Sequence, residues 1–196
     1  LYANNIHRQL PSGYYDLFKI PLFLEIGIKV FSKEGKFSHN KSALFNSYIY
    51  QLCYGREREK GILNQDSNFY EMMFLIGKLA FEFFDSACIS IKQFNRFFAQ
   101  NRSKYSEITI CDVFRIDIFK IDDGVWFSHK QFKEYFAAYY LVEHYNIKDN
   151  LDLYENLMQK ESWQEVLVFA SGMIQNIEQQ NLFFDILLEN NLKTYI

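Results

Sequence analysis

The sequence predicts a mainly α-helical chain that contains one small β-hairpin. Apolar residues recur every three to four positions through most of the 196 residues, which is the spacing of amphipathic helices. The period changes to two over 113–121, and Asp122-Asp123-Gly124 then leads into 125–127. An Asp-Gly turn between two such runs predicts a hairpin. Apolar residues make up 49% of the chain, which favours a folded core over disorder.

Proline and glycine place the first helices. A short apolar run covers 14–20, and Pro21 then opens PLFLEIGIKVF, because a proline in the first turn of a helix forfeits no hydrogen bond. A polar loop that contains Gly35 follows. A further helix is predicted over 42–60, with Gly61 as its stop.

Three capping boxes, each a serine followed three residues later by glutamine or glutamate, predict the starts of later helices. They are Ser90 with Gln93, Ser128 with Gln131, and Ser162 with Glu165. The second box starts a helix at His129 within FSHKQFKEYFAAYYL. Further helices are predicted from NFYEMMFLIGKLAFEFF, LDLYENLMQ and EQQNLFFDILLEN.

The element order divides the chain into three predicted domains. Residues 1–62 form a helical domain. Residues 63–145, in which helices are followed by a two-stranded wing, form a winged-helix domain. Residues 146–196 begin a second helical domain.

Composition argues against several functions. The net charge of −3 gives no basic field for nucleic acid or an anionic membrane. The three cysteines lack CxxC spacing, and we expect reduced thiols in a cytoplasmic protein. No apolar run approaches the ~18 residues of a membrane-spanning helix. We therefore expect no membrane partner.

Motifs for catalysis and metal binding are missing from the sequence. The four histidines are scattered, which argues against a metal site. The phosphate-binding patterns G-x-x-x-x-G-K-[ST] and G-x-G-x-x-G are both absent, so this chain alone is not a complete nucleotide hydrolase. Ser128 and His129 are neighbours in sequence, which is not the geometry of a catalytic pair. Ser128 is better explained as a helix cap. No catalytic residue is predicted.

Nucleic-acid binding is the usual function of a winged helix, and its recognition helix needs exposed lysine and arginine. The segment 91–100 carries Lys92 and Arg96, and Arg102 and Lys104 follow it. This basic footprint is weak, so we expect no nucleic-acid partner. A nucleic-acid-binding module and a passive helical interaction scaffold remain the alternatives.

His129 has two interpretations. It is either a tolerated polar residue at a helix start, or a donor to an anion held by the positive end of the helix. The residue pattern alone favours the first interpretation, because the sequence shows no anion.

Residues 127–138, FSHKQFKEYFAA, resemble the winged-helix signature of NACHT-domain proteins, the STAND-type NTPases that include NOD-like receptors and bacterial antiphage sensors. In that family a strand ends in Phe-x-His and runs into a helix with the pattern Phe-x-Glu-Tyr/Phe-Phe/Leu-Ala-Ala. The segments KIPLFLEIGIKVF, LIGKLAFEFF and SWQEVLVFASGMI are similar to further family segments in the same order. The resemblance spans most of 14–175.

The resemblance implies an ADP-sensing, regulatory role. The family's winged-helix histidine contacts the β-phosphate of ADP and holds the closed, inactive state, and this role falls on His129. The family's helical-domain proline packs against the adenine, which implies Pro21, although Ile20 stands where the family often has a polar residue.

The resemblance also implies partners and cofactors. A nucleotide-binding domain with ADP or ATP and Mg²⁺ is expected upstream of Leu1, in a parent protein that is an ATPase. Exchange of ADP for ATP is expected to release the closed state and to allow the formation of a homo-oligomer that acts in cytoplasmic signalling or antiphage defence.

Overall fold

A computed structural model describes residues 14–55, 66–101 and 118–193. These residues form nine α-helices, one 3-10 helix and a two-stranded antiparallel sheet. The prediction of a mainly α fold with one small hairpin is therefore confirmed. The chain divides into two compact units, Leu1–Ile62 and Leu63–Ile196, here called the first and second units. The division into helical and winged-helix domains stays a prediction.

The described part of the first unit, residues 14–55, contains three helices, namely α1 (Tyr14–Leu17), α2 (Pro21–Glu34) and α3 (Lys41–Gly55). Pro21 occupies the first turn of α2, as predicted. Gly35 ends the helix with φ at 70°, a left-handed conformation that favours glycine, and its N–H donates to Phe31 O over 2.8 Å. α2 packs on α3 through Phe23 and Phe45, whose ring centroids are 5.2 Å apart. The predicted stop at Gly61 lies outside the described residues.

The second unit is organised around one buried helix. The elements of its described residues are α4 (Asp66–Glu82), α5 (Ile91–Asn101), β1 (Phe119–Ile121), β2 (Val125–Phe127), α6 (Lys130–His144), α7 (Leu151–Met158), a 3-10 helix (Glu161–Trp163), α8 (Gln164–Ser171) and α9 (Ile177–Lys193). α6 packs against α4, α8 and β2. Phe136, Ala137, Ala138 and Leu141 of α6 are fully buried, because apolar side chains cover several of its faces. The hydroxyl of Tyr154 donates to Tyr145 O over 3.0 Å, just beyond the end of α6.

The hairpin has the predicted turn. Phe119 lies opposite Phe127, and Ile121 lies opposite Val125. On the other side of β2, Ile89 exchanges two backbone hydrogen bonds with Val125, of 3.0 and 2.8 Å. β2 therefore lies between β1 and Ile89. The part of the predicted alternating run before Ile118 falls outside the described residues.

The three predicted capping boxes have different outcomes. The first is confirmed, because Gln93 N donates to Ser90 Oγ over 3.3 Å and Ser90 N donates to Gln93 Oε1 over 3.1 Å. The prediction that Ser128 caps α6 is wrong by one residue, because the N-cap is His129. The reason is the hairpin: Ser128 N donates to Ile118 O over 2.7 Å, so Ser128 still belongs to the strand pairing.

The third predicted box is also wrong. Ser162 lies inside the 3-10 turn, and α8 starts only at Gln164. The turn carries Trp163 into the core, where its ring centroid lies 4.3 Å from that of Phe84. Burial of this large ring outweighs the local capping preference, which is a small contribution by comparison.

Candidate functional site

The candidate site is the start of α6, where the chain leaves the hairpin. His129 is the N-cap residue, with extended backbone angles (φ −140°, ψ 146°), and its carbonyl accepts a hydrogen bond from Phe132 N at 3.1 Å. Its side chain makes no capping hydrogen bond. The hairpin therefore fixes where the backbone turns into the helix, and it leaves the imidazole unused for that purpose.

The imidazole of His129 is exposed to solvent. Its ring lies 6.0 Å from that of Phe132, and it makes no hydrogen bond within the described ranges. A neutral imidazole offers one donor and one acceptor, and the protonated ring offers two donors. Both nitrogens can therefore serve a ligand that approaches the helix start.

The first turn of α6 carries lysines where acidic residues are favoured. It contains no acidic residue, and it includes Lys130, while Lys133 follows one turn later. Cations are unfavourable near the positive end of a helix. Lys130 is compensated by Glu134, whose Oε1 lies 2.9 Å from the ammonium and whose side chain is only 2% exposed. The hydrogen bond and charge of Glu134 raise the pKa of Lys130.

Lys133 is held differently. Its ammonium is partly buried, donates to Ser86 O over 2.6 Å and lies 5.5 Å from the centre of the Phe84 ring. Burial lowers the pKa of Lys133, and the charge of Asp85 opposes that shift. Across the described residues, Lys133 forms no ion pair with a carboxylate. The two lysines were not predicted as site residues. A lysine in a first helical turn that contains no acidic residue is a sequence signal that could have indicated them.

Pro21 lies in the first unit, and His129 lies in the second. Pro21 is exposed at the first turn of α2. Ile20, Leu24 and Ile28 are also exposed, and their spacing of four residues places them along one side of the helix. We call these three residues, with Pro21, the α2 stripe. It offers an apolar surface beside the proline ring.

Metal-binding, thiol and basic side chains are the other candidates in the part of the chain that the structure describes. No group of three or more histidine, cysteine, aspartate or glutamate side chains there is placed to hold a metal. Cys53 is buried and Cys88 is partly buried. Lys92 and Arg96 are exposed on α5. Arg102 lies outside the described residues.

None of the described helices is long and apolar enough to cross a membrane.

No protein-family model, curated protein or solved structure matches this chain. The features that bear on function are therefore the exposure and the charges of the residues at the two helix starts.

Proposed function

We propose that this chain is the ADP-sensing, regulatory part of a NACHT-type STAND NTPase that acts in cytoplasmic signalling or antiphage defence. On this proposal, an upstream nucleotide-binding domain carries the phosphate loop and holds ADP or ATP with Mg²⁺. The present chain supplies contacts that depend on the bound nucleotide, and it supplies no catalytic residue.

The observation that carries the proposal is the chemistry at the start of α6. His129 places an exposed imidazole, without a hydrogen bond to the described residues, at the positive end of a 15-residue helix. Free backbone N–H groups and the helix dipole favour an anion there. Lys130 adds positive charge at the same end, although Glu134 compensates part of it. A phosphate oxygen would accept a hydrogen bond from His129 and offset the charge that the helix start accumulates.

The α2 stripe supports the second contact. Pro21 has a rigid ring at the solvent-facing start of α2, and its exposed neighbours are apolar. An apolar surface with a rigid ring suits the face of a purine base better than it suits a phosphate. The start of α2 is therefore an apolar surface and the start of α6 a cationic one, which are the kinds of surface that a purine base and a phosphate favour.

Regulation follows from contacts that differ between two arrangements. In the closed arrangement, His129 would donate to a phosphate oxygen while Pro21 packs on the base, so each compact unit is tied to the nucleotide-binding domain. In the open arrangement both contacts are lost, and the protein is free to oligomerise. A ligand shifts such an equilibrium only by the difference in its affinity for the two states. A hydrogen bond to a charged group contributes roughly 1.5–3 kcal/mol, which is enough to shift it measurably.

The proposal is tested in the full-length protein with His129→Ala. We expect weaker ADP binding and more oligomer without a trigger, measured by titration calorimetry and by light scattering after size exclusion. His39→Ala is the matched control, because His39 is exposed in the loop between α2 and α3. Unchanged ADP retention together with an unchanged oligomer fraction in His129→Ala would contradict the sensor role.

A further inference from the structure

An open cavity of about 410 Å³ lies beside the hairpin, within the second unit. One side of the cavity is formed by residues 83–90, the connector between α4 and α5. β2 forms another side, and the first turns of α6 contribute Lys130 and Lys133. His129 is not part of the described lining. The cavity is therefore separate from the imidazole to which the proposed nucleotide contact is assigned.

The backbone of β2 points a donor and an acceptor towards this cavity. Val125 uses its N–H and C=O for Ile89, on the side of β2 opposite β1. Phe127 is two residues further along the same strand, so its N–H and C=O face that same side. The connector separates from β2 beyond the pair formed by Ile89 and Val125, and Phe127 has no strand partner there among the described residues. A polar backbone edge is thus left at the cavity.

The cavity walls are aromatic. Phe84, Trp126 and Phe127 all line it, and each of these side chains is only partly buried. Flat apolar surfaces that remain partly exposed in a concave site favour a flat apolar ligand, and the volume is within the range of small-molecule sites.

One lysine gives the cavity its charge preference. An ammonium has three donors, and Lys133 uses one for Ser86 O. Lys130 also lines the cavity, but it is already paired with the buried Glu134. Asp85 is the acidic residue of the lining, and it forms no ion pair with Lys133. A partly buried ammonium without a carboxylate partner is stabilised by an anion.

We propose that this cavity binds a small aromatic anion, with its ring against Phe84 and Trp126 and its carboxylate on Lys133 and the N–H of Phe127. The site lies next to α6, so occupancy would stabilise the connector, the hairpin and the helix as one body. This inference does not depend on the nucleotide contact of His129.

The test uses phenylacetate as the probe and 2-phenylethanol as its neutral analogue, titrated into the protein by calorimetry. We expect saturable binding of phenylacetate and about tenfold weaker binding of the alcohol, which corresponds to roughly 1.4 kcal/mol. Lys133→Met keeps the apolar stem and should weaken phenylacetate binding by about tenfold, down to the level of the alcohol. Lys92→Met, which removes an exposed lysine on α5, should leave binding unchanged.

A second variant keeps the test decisive if Lys133→Met folds poorly. Ala87 is exposed in the cavity lining, so Ala87→Phe places a ring in the cavity while Lys133 remains. Binding should be lost in Ala87→Phe while its circular dichroism spectrum and unfolding midpoint are retained. The inference is overturned by no saturable heat up to about 10 mM phenylacetate, a concentration at which even weak sites fill. Equal binding of acid and alcohol, or full binding by Ala87→Phe, would overturn it as well.

Discussion

The two compact units use the same kinds of helix contact in different surroundings. Each contains a glycine inside a helix against a close neighbour. A Cβ added at Gly27 would lie 2.5 Å from Cζ of Phe18, which is the far end of a side chain that can turn away. A Cβ added at Gly77 would lie 2.9 Å from Phe136 O, which is backbone of the buried helix α6. An added Cβ would thus meet the tip of a side chain in the first unit and backbone in the second.

The ion pairs show the same difference. Lys29 and Glu25 are 2.6 Å apart, and their side chains are 50% and 59% exposed. Lys130 is 72% exposed, but its partner Glu134 is only 2% exposed. Spacing along a helix is four residues in both pairs, so the environment and not the sequence pattern sets their energetic weight. The second unit therefore holds α6 firmly in its core while His129 at the helix start stays exposed.

The largest expected effect is at the glycines. Gly77→Ala should lower the free energy of unfolding by about 1–3 kcal/mol, because α4 and α6 must move apart. Gly27→Ala should be nearly neutral, since alanine favours the helix by about 1 kcal/mol and this offsets the displacement of the Phe18 ring. Chemical denaturation measures the free energy of unfolding of each variant. If both variants lost the same free energy of unfolding, the difference between a side-chain neighbour and a backbone neighbour would not matter for stability.

The second-largest expected effect on stability is at the two ion pairs. Lys130→Met should cost about 1–3 kcal/mol, because it leaves the buried carboxylate of Glu134 without its partner. Lys29→Met should change stability by less than about 0.5 kcal/mol, as is usual for an exposed pair. Denaturation midpoints at low and high salt test this, and a loss in Lys29→Met as large as that in Lys130→Met would contradict it.

The smallest effect concerns Tyr14 in the first unit. Its hydroxyl donates to Ser38 O at 2.8 Å and lies 3.1 Å from Asn40 O, and burial raises the pKa of Tyr14 to about 12 from an ordinary value near 10. The neutral hydroxyl is favoured in the folded state, so its contribution is complete below pH 10. It is lost as the pH rises from about 10 to 12, because the unfolded chain ionises first.

Tyr14→Phe isolates that contribution. The variant should lose about 1 kcal/mol at neutral pH, where the hydrogen bonds are intact. Its stability should fall less steeply than that of the wild type between pH 10 and 12. Parallel curves for the two proteins over this range would rule out Tyr14 as the source of the alkaline loss.

Local sequence signals predicted the elements well, but they did not predict the long-range contacts of the site. Pro21 and the box formed by Ser90 and Gln93 depend on neighbours in the chain, so their roles could be predicted. The contact of Lys133 with Ser86 joins residues 47 positions apart, and no local pattern indicates it.

Tertiary structure also overrode two local patterns. The pairing of Ser128 with Ile118 across the hairpin shifted the predicted start of α6 by one residue. The burial of Trp163 replaced the third predicted cap with a 3-10 turn. The sequence left two interpretations of the role of His129 open. Its exposure could not be predicted, because the faces that α6 buries depend on α4 and α8.

The central claim, that His129 senses a phosphate, is tested most directly by comparing ADP with adenosine as ligands of the full-length protein. The account predicts that His129→Ala weakens binding of ADP by about tenfold or more and leaves binding of adenosine unchanged, because the lost hydrogen bond is to a phosphate. Pro21→Ser should weaken both ligands alike, since it alters the surface for the base. Equal loss of ADP and adenosine in His129→Ala, or no loss of either, would contradict the account.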